Sequence, residues 1–574
     1  PGALLLLWAW GALVSEVKGQ DVLYWRSEST TGDWQYGIGC GTADPSDHWW
    51  NDTDTRTEWR PDCGANANIL IFNKGIQQNM NLNAGTDYRV NQMIFNPGTG
   101  SRIINSDNNR NLYFYNRGGI DATIESNSSL TTHEFNVNIN IEDINTWMQI
   151  RVNDGYLAFN NTVVNNSGNT LNLRGVNGMR IIFNGPLMSS VGTPGVSIAN
   201  EIAPGQNVHV IYQGPVNSAT YNGPTTLYSG ATLQISTNQT LGDIVLNSGA
   251  TLIVDAGVIL TVTGSWTGGG TIQNNGTIVL AGTAAQTFPG AGTNVAAMNN
   301  LTINNPNGVA LDQNLNVSNN LTLISGVLST GTYNITVDSP LTNSITGGGS
   351  TNYISGYLRR SINGGVNTYF FPIGTSTVYA PVQMAFTAGT VAGVLEGYTT
   401  NGDHPNIGSS NLNPAFSVNR AWYFNIASGL GTANYNATFN WIIADQDLGF
   451  NFNTALAGKF TTSNWTYPAI GARTASSLQI TGSSGFSGFQ VAADCEPDIP
   501  AVAATPDLVC PDGSSTLSIT SGNLNGAANW YWYSGSCGGT PIGTGTSISV
   551  APAATTTYYV RGEGGCAPAG GSCA

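Results

Sequence analysis

Two stretches of the chain, Ser229–Leu233 and Ser248–Leu252, both read SGATL and begin 19 residues apart. Further along, Asn299–Ile303 reads NNLTI and Asn319–Leu323 reads NNLTL, with an offset of 20 residues. Between them, TIQNNGTIVL at Thr271–Leu280 alternates apolar and polar side chains. One such unit cannot bury its apolar face alone, whereas stacked units can. The repetition therefore predicts a β-solenoid of the parallel β-helix type.

A less regular form of the same pattern precedes these repeats. Short apolar strands that end at or near Asn recur at Ile71–Asn73, Ile94–Asn96, Leu112–Asn116 and Ile181–Gly185. We therefore predict that the solenoid occupies residues 66–345. The preceding residues 20–65 are rich in Trp and contain Cys40 and Cys63. We interpret them as a cap, because the first coil of a solenoid otherwise exposes a sheet edge.

The sequence pattern changes after the solenoid. Longer and more aromatic alternation, as in NTYFFPIGT at Asn367–Thr375 and RAWYFNI at Arg420–Ile426, predicts an antiparallel β-sandwich over residues 346–494. Residues 495–507, which include EPDIPAVAATPD, are interpreted as a proline-bearing linker. Residues 508–574 place a cysteine before NWYWY and TYYVRGEGGC after it, an order typical of an immunoglobulin-like domain. We expect this domain to be truncated.

The composition limits the classes of partner. Only 9% of the 574 residues are charged, and the net charge is −15. Nucleic acids and anionic membranes are polyanions that repel such a chain. Solubility must then depend on Asn, Thr, Ser and Gly, which favour strands and turns rather than helices.

The N-terminal segment indicates export. An apolar run at residues 3–14 is too short to span a bilayer as a helix and is followed by small residues, so residues 1–19 are interpreted as a partial signal peptide. A buried core strand is the alternative. The sequence lacks an initiator Met, so we expect a fragment of a secreted or cell-surface protein. No other segment has the composition of a membrane span.

Seven cysteines cluster near the two ends of the chain, at positions 40, 63, 495, 510, 537, 566 and 573. In an exported protein they predict disulfides, with Cys40 bonded to Cys63. Among Cys510, Cys537, Cys566 and Cys573 three pairings are open, and Cys495 is expected to be the odd thiol. Metal binding is disfavoured, because no CxxC motif or paired His accompanies these cysteines.

The C-terminal residues resemble a known family. VCPDGSSTLSI and the block from Cys537 to Cys566, followed by Cys573, are similar to the immunoglobulin-like repeats of large exported adhesins of the Bacteroidetes. FPIGT, YAPV and GFSGFQVA resemble the sandwich domain that often precedes such repeats, and the coils resemble autotransporter-like β-helices. The resemblance implies export through an outer membrane, commonly by the type IX route with a C-terminal sorting domain, sometimes of the gliding-motility-associated kind.

Parallel β-helices also host polysaccharide lyases and hydrolases, so enzymatic function has to be weighed. Such chemistry needs carboxylates or basic groups that converge on neighbouring coils. Between residues 225 and 340 the only charged residues are Asp243, Asp255, Asp312 and Asp338. The earlier coils are richer in charge: Asp107, Arg110, Arg117, Asp121, Glu125, His133, Glu134, Glu142, Asp143, Arg151 and Asp154. Solvated turns and strand-end ion pairs explain these residues better than a catalytic site does.

Two acidic clusters have the oxygen ligands that calcium prefers. One comprises Asp445, Asp447 and Asn451, our candidate calcium site, and the other comprises Asp44, Asp47, Asp52 and Asp54. Surface turns are the alternative for both. His48, His133, His209 and His404 lie in unrelated contexts, which disfavours a His-based site. Trp49, Trp50 and Trp59 have rings that could stack on sugars, although a packed cap explains them equally well.

Together these observations predict a non-catalytic surface adhesin or structural scaffold. We expect no cofactor, and calcium binding stays open. Its expected partners are surface glycans or other cell-surface proteins, and self-association is open. A carbohydrate-active or carbohydrate-binding β-helix protein is the first alternative, for which three or more carboxylates would have to converge within residues 66–223. A self-assembling extracellular filament is the second.

Overall fold

The computed structural model describes residues 21–25, 49–51, 68–72, 78–82, 88–97, 100–106, 111–115, 121–142, 148–176, 179–189, 192–200, 208–387, 389–431, 433–511, 513–567 and 570–574. Within these ranges the regular elements are β-strands, apart from two 3₁₀ turns at Ile407–Ser409 and Ile443–Asp445. The all-β prediction is confirmed. No helix among these residues is long and apolar enough to cross a bilayer.

The chain forms two compact units that meet in sequence at Asp312 and Gln313. The strands of the first unit are β1 (Asp21–Trp25), β2 (Trp49–Asn51), β3 (Asn68–Phe72), β4 (Gln78–Leu82), β5 (Tyr88–Val90), β6 (Gln92–Phe95), β7 (Arg102–Ser106), β8 (Asn111–Tyr115), β9 (Ala122–Asn136), β10 (Asn138–Glu142), β11 (Met148–Phe159), β12 (Val163–Asn165), β13 (Leu171–Gly175), β14 (Met179–Phe183), β15 (Leu187–Ser189), β16 (Val196–Asn200), β17 (Val208–Tyr212), β18 (Ala219–Thr220), β19 (Thr225–Leu227), β20 (Thr232–Ile235), β21 (Gln239–Leu241), β22 (Ile244–Leu246), β23 (Thr251–Val254), β24 (Ile259–Val262), β25 (Trp266–Thr267), β26 (Thr271–Leu280), β27 (Gln286–Phe288), β28 (Asn294–Asn304) and β29 (Val309–Leu311).

The strands of the second unit are β30 (Leu315–Val317), β31 (Asn320–Ser325), β32 (Leu328–Val337), β33 (Ile345–Gly347), β34 (Ile354–Ile362), β35 (Thr368–Phe371), β36 (Ile373–Gly374), β37 (Val382–Phe386), β38 (Gly393–Asn401), β39 (Leu412–Ser428), β40 (Asn434–Asn440), β41 (Leu456–Thr461), β42 (Asn464–Thr466), β43 (Ala469–Thr474), β44 (Ser477–Ser484), β45 (Gly488–Asp494), β46 (Ala501–Thr505), β47 (Ser515–Ser521), β48 (Asn529–Ser534), β49 (Thr540–Thr544), β50 (Ser547–Val550) and β51 (Tyr558–Glu563).

The repeated segments of the first unit are coils of three short parallel strands. One coil consists of β19, β20 and β21, and the next consists of β22, β23 and β24, with β19 paired to β22, β20 to β23 and β21 to β24. The two SGATL stretches lie one above the other, since Leu233 is the register partner of Leu252. Inward side chains alternate with outward ones along β20 and β23. The predicted parallel β-helix is confirmed.

An aromatic stack fills the interior of the earlier coils. Phe135, Phe159, Phe183 and Tyr212 come from four successive strands of one column, and their ring centroids are 5.0, 5.2 and 5.7 Å apart in that order. All four are 2% exposed or less. Each ring therefore packs mainly on the coil before and the coil after, which is how a solenoid core forms from local contacts.

One corner of the same coils carries a ladder of side-chain amides. Asn136 donates to Asn105 at 2.8 Å, and Asn160 donates to Asn136 at 2.6 Å. Asn184 donates to Asn160, and Gln213 donates to Asn184, both at 2.6 Å. We call these five residues the amide ladder. An amide both donates and accepts, so one residue type can repeat the same bond at every coil.

In the second unit the parallel coil strands lead into an antiparallel sandwich. Strand β34 pairs in parallel with β32 and antiparallel with β38, so it belongs to both arrangements. One sheet of the sandwich has the order β34-β38-β39-β45-β41-β42, and the other has the order β35-β37-β40-β44-β43. Trp422 and Phe424, which are fully buried, contact Phe439, Phe371 and Phe489 in the core.

The C-terminal module consists of two three-stranded sheets, β46-β47-β50 and β49-β48-β51. Leu517, Trp530, Trp532 and Val560 form its core. Strand β46 lies inside the predicted linker 495–507 and pairs antiparallel with β47. Ala501–Thr505 is therefore a strand, and the linker interpretation is wrong for these residues. The sequence gives no strand signal here, because two prolines flank the run and none of its five side chains is buried in the usual alternating pattern.

The cysteine pairing also differs from the prediction. Cys495 bonds to Cys566, and Cys537 bonds to Cys573, whereas Cys510 is an exposed free thiol. Cys495 is therefore not the odd cysteine, and Cys510 does not belong to the bonded set. The reason is that Cys495 follows β45 directly and lies beside the end of β51, a proximity that sequence spacing does not reveal.

The N-terminal predictions fall mostly outside the described residues. The signal peptide at residues 1–19, Cys40 and Cys63 all lie outside them. In the predicted cap, β1 pairs antiparallel with β2 and in parallel with β3. Parallel pairing of the coil type thus begins within residues 20–65.

Candidate functional site

The charged residues of the early coils form a hydrogen-bonded network on the outer face of β9 and β11. Arg151 contacts Glu125 at 3.3 Å and donates to Gln149 at 2.8 Å. Gln149 in turn donates to Asp121 at 2.7 Å. Glu125 also accepts from the amide of Asn153 at 3.1 Å. These groups bind one another across neighbouring strands, an arrangement that holds coils together without any ligand.

His133 does not join this surface network. Its imidazole is fully buried and stacks on Phe95 with ring centroids 4.0 Å apart. Burial, and then the charge of Arg102, lower the pKa of His133 to about 3. Glu134, the next residue, accepts from Asn160 of the amide ladder at 3.3 Å. Asp107, Arg110, Arg117 and Asp143 lie outside the described residues.

Carboxylates of the regular coils also have local partners. Asp243 accepts from the backbone N–H and the hydroxyl of Ser265 at 2.5 and 2.8 Å. Asp255 accepts from Gln234 and from the hydroxyl of Ser236, the latter at 2.6 Å. Both carboxylates therefore join one coil to a neighbouring coil.

The three candidate calcium residues each form hydrogen bonds with different groups of the protein. Asp445 pairs with Arg420, and its two oxygens accept from Nε at 2.7 Å and from Nη2 at 3.1 Å. Asp447 accepts from the backbone N–H of Ser417 at 2.8 Å and from Asn419 at 2.7 Å. The Asn451 side chain accepts from the backbone N–H of Asn453, two residues further on.

Over the described ranges no group of three or more His, Cys, Asp or Glu side chains could hold a metal ion. Asp44, Asp47, Asp52, Asp54, His48 and Trp59 lie outside those ranges, and of Trp49 and Trp50 only the backbone is described.

A row of aromatic side chains crosses the outer face of one sandwich sheet. The strand register aligns Tyr398 with Tyr423, Tyr423 with Gly488, Gly488 with Phe460, and Phe460 with Trp465. Tyr357 on β34 extends the row, with its ring centroid 4.7 Å from that of Tyr398. Because side chains alternate along a strand, Tyr423 lies opposite its buried neighbours Trp422 and Phe424.

His404 closes the gap in this row at Gly488. A Cβ added to Gly488 would lie 2.6 Å from Nε2 of His404, so the imidazole occupies the space that a side chain would need. The His404 ring centroid is 5.6 Å from that of Tyr423, 5.1 Å from that of Phe460 and 5.0 Å from that of Trp465. We define the aromatic row as Tyr357, Tyr398, Tyr423, His404, Phe460 and Trp465.

The rings differ in how much of their surface is accessible. Tyr398 and Tyr423 stack with an interplanar angle of 13° and a centroid separation of 4.9 Å, so the faces between them are covered. At one end of the row the indole of Trp465 packs over Gly458, where a Cβ would come within 2.7 Å of the ring. Trp465 remains half-buried rather than buried. The middle of the row thus offers ring edges and hydroxyl groups, and the end at β42 offers a larger aromatic surface.

Burial favours the uncharged forms of three side chains of the aromatic row. Burial raises the pKa values of Tyr398 and Tyr423 and lowers that of His404. Arg359 and Glu396, which flank the row on β34 and β38, neutralise each other in an ion pair of 2.7 Å. The row is therefore suited to contacts of aromatic carbon and hydroxyl groups.

Sequence reasoning did not find the aromatic row. Its residues are spread from Tyr357 to Trp465 and belong to different strands and one loop. Only the antiparallel register brings them together. The available signal was weak: Tyr423 lies between the apolar residues Trp422 and Phe424, but Tyr398 lies between Gly397 and Thr399.

The structure thus defines an all-β modular protein with parallel coils, a sandwich and a terminal immunoglobulin-like module. Residues 497–571 match a family model described as "Ig-like domain CHU_C associated". This domain is associated with the Bacteroidetes and occurs in proteins related to type IX secretion. Together with the disulfides it indicates an extracellular or cell-surface protein. No curated protein and no solved structure matches the chain.

Proposed function

We propose that this chain is a non-catalytic extracellular adhesin or scaffold, in which stacked coils act as a stiff spacer and the modules after them present a binding surface. The charged residues of the coils support the proposal. Glu125, Arg151, Asp243 and Asp255 are used in bonds between or within coils, as expected for a structural element.

The observation that carries the proposal is the position of β34. Leu358 is the register partner of Ile335 on the coil strand β32 and of Gly397 on the sandwich strand β38. No flexible segment separates the last parallel coil strand from the sandwich, because the same strand serves both. A binding surface on the sandwich is then held rigidly by the coil, which reduces the entropy lost on attachment.

The disulfide between Cys495 and Cys566 supports the same role. It joins the residue after the last sandwich strand to the end of the C-terminal module. A covalent link at this point keeps the two modules connected outside the cell, where disulfides persist.

The test is an attachment assay with the full chain displayed on non-adherent cells. We expect displaying cells to attach to polysaccharide-coated or cell-coated surfaces, with no release of reducing sugar ends. The matched variant replaces Asp243, Asp255, Asp312 and Asp338 together by Asn. Unchanged attachment supports the spacer role of the coils. Release of reducing ends that this variant abolishes would instead support the carbohydrate-active alternative, and regular polymers in electron micrographs would support the filament.

A further inference from the structure

We propose that the aromatic row binds an unbranched, uncharged β-linked glycan chain that lies across the strands of the sandwich sheet. The inference deepens the proposed adhesin function, because it names the ligand class and the surface that contacts it. Its physical basis is the length, the chemistry and the charge of the row.

The length of the row indicates an extended ligand. The row runs from β34 to β42 over six neighbouring strands. At about 4.8 Å between strands, it spans roughly 24 Å. A single sugar ring would contact only a small part of such a surface. A chain of equatorially linked pyranose rings is straight and flat, so it can follow the row and contact several of its side chains at once.

The chemistry of the row matches the two kinds of surface on a sugar ring. Pyranose rings have C–H faces and rims of hydroxyl groups. The half-buried indole of Trp465 can stack on a C–H face, as aromatic rings in ligand sites commonly do. The hydroxyls of Tyr357, Tyr398 and Tyr423 can donate to and accept from sugar hydroxyls. Tyr423 and Tyr398, whose rings cover one another, are held in place for this role.

The charge of the site selects an uncharged chain. Burial favours the neutral forms of Tyr398, Tyr423 and His404, and Arg359 is paired with Glu396. The whole chain has a net charge of −15. An anionic glycan would meet repulsion without a compensating basic group in the row. A neutral β-linked glycan meets no such cost.

Isothermal titration calorimetry on the full chain tests the inference with four probes: cellohexaose, xylohexaose, mannohexaose and chitohexaose. The variants are Trp465→Ala, Tyr398→Ala and the milder Tyr398→Phe, which removes only the hydroxyl. Tyr333→Ala is the matched control, since Tyr333 is an exposed tyrosine of the same unit outside the row. Circular dichroism and the melting temperature verify that each variant is folded.

We expect at least one hexasaccharide to bind, and we expect Trp465→Ala and Tyr398→Ala each to weaken binding about tenfold. Tyr398→Phe should weaken it less, and Tyr333→Ala should leave it unchanged. The inference is overturned if none of the four probes binds, or if Tyr333→Ala weakens binding as much as the row variants do.

The attachment assay separates this inference from the proposed function. If displaying cells attach to cell-coated surfaces while no hexasaccharide binds, the adhesin role stands and the glycan inference fails. If hexasaccharides bind through the row but displaying cells do not attach, the glycan site stands and the adhesin role fails.

Discussion

Leu233 and Leu252 are register partners on neighbouring coils, and both side chains are completely buried. Ile272 continues the same column in the next coil, also without exposure. Each of these side chains is covered mainly by the coil on either side. The stability of one coil is therefore coupled to that of its neighbours.

The first prediction follows from this column. Replacing Leu252 by Asp buries an unpaired carboxylate and should lower the free energy of unfolding by about 4 kcal/mol or more. Hydrogen exchange should show lost protection in the coils on both sides. The control is Thr251→Asp, since Thr251 lies on the outward side of the same strand. Protection that is equally affected by both variants would contradict the proposed direction of the side chains.

The second prediction concerns the buried ion pair between Arg420 and Asp445. The Arg420 side chain is 1% exposed. Replacing Arg420 by Met should cost about 3–5 kcal/mol of stability, because it leaves the Asp445 carboxylate buried and unpaired. The double variant Arg420→Met with Asp445→Leu should recover most of this loss. A double variant as unstable as the single one would mean that the pair acts through other partners.

Thermal denaturation of the wild-type chain and of these variants measures the predicted stability changes, and it also tests the calcium hypothesis for Asp445, Asp447 and Asn451. If Arg420 holds Asp445 as the structure indicates, adding calcium or a chelator should leave the melting temperature unchanged. A rise with calcium that Asp447→Asn abolishes would restore calcium binding at this turn.

The third prediction is a dependence of stability on pH that involves His133. The ordinary His pKa is 6.5, and the folded protein lowers it to about 3. Between these values the unfolded chain binds a proton that the folded chain does not, so stability falls as the pH is lowered from about 6.5 toward about 3. The full loss would be on the order of 5 kcal/mol. His133→Phe, which can keep the stack on Phe95, should flatten this part of the profile. An unchanged slope would assign the acid sensitivity to other groups.

The fourth prediction concerns the thiols. Under native, non-reducing conditions a maleimide reagent should label Cys510, and peptide mapping should find Cys495 linked to Cys566 and Cys537 linked to Cys573. Cys510→Ser should abolish labelling in the C-terminal module. A linked peptide that contains Cys510 would contradict this pairing and restore the prediction made from sequence.

The coil part of the fold was largely predictable from the sequence. The two SGATL stretches lie one coil apart, and in β20 the alternation of Leu233 and Ile235 with Thr232 and Gln234 indicates which side chains face inward. These signals are local, because each coil contacts its sequence neighbours. The charged residues of the early coils could also be identified from the sequence, but the hydrogen bonds and ion pairs that they form with one another could not.

The remaining features depend on contacts between distant residues. Strand β46 has small side chains between two prolines, so its pairing with β47 leaves no clear pattern. The bond between Cys495 and Cys566 joins two modules that sequence reasoning had treated separately. His404 enters the aromatic row only because Gly488 lacks a side chain, and nothing in the sequence near either residue indicates that contact.

The amide ladder has a consequence for how such a chain changes over evolutionary time. Asn136, Asn160 and Asn184 make the same bond from coil to coil. Each of them could therefore bond equally well to the equivalent Asn of another coil. Unequal recombination between coils that carry the ladder would insert or delete one whole coil and bring equivalent surfaces together again. The length of the spacer can then be adjusted in steps of one coil, whereas an insertion of one residue inside a strand reverses which side chains face the interior.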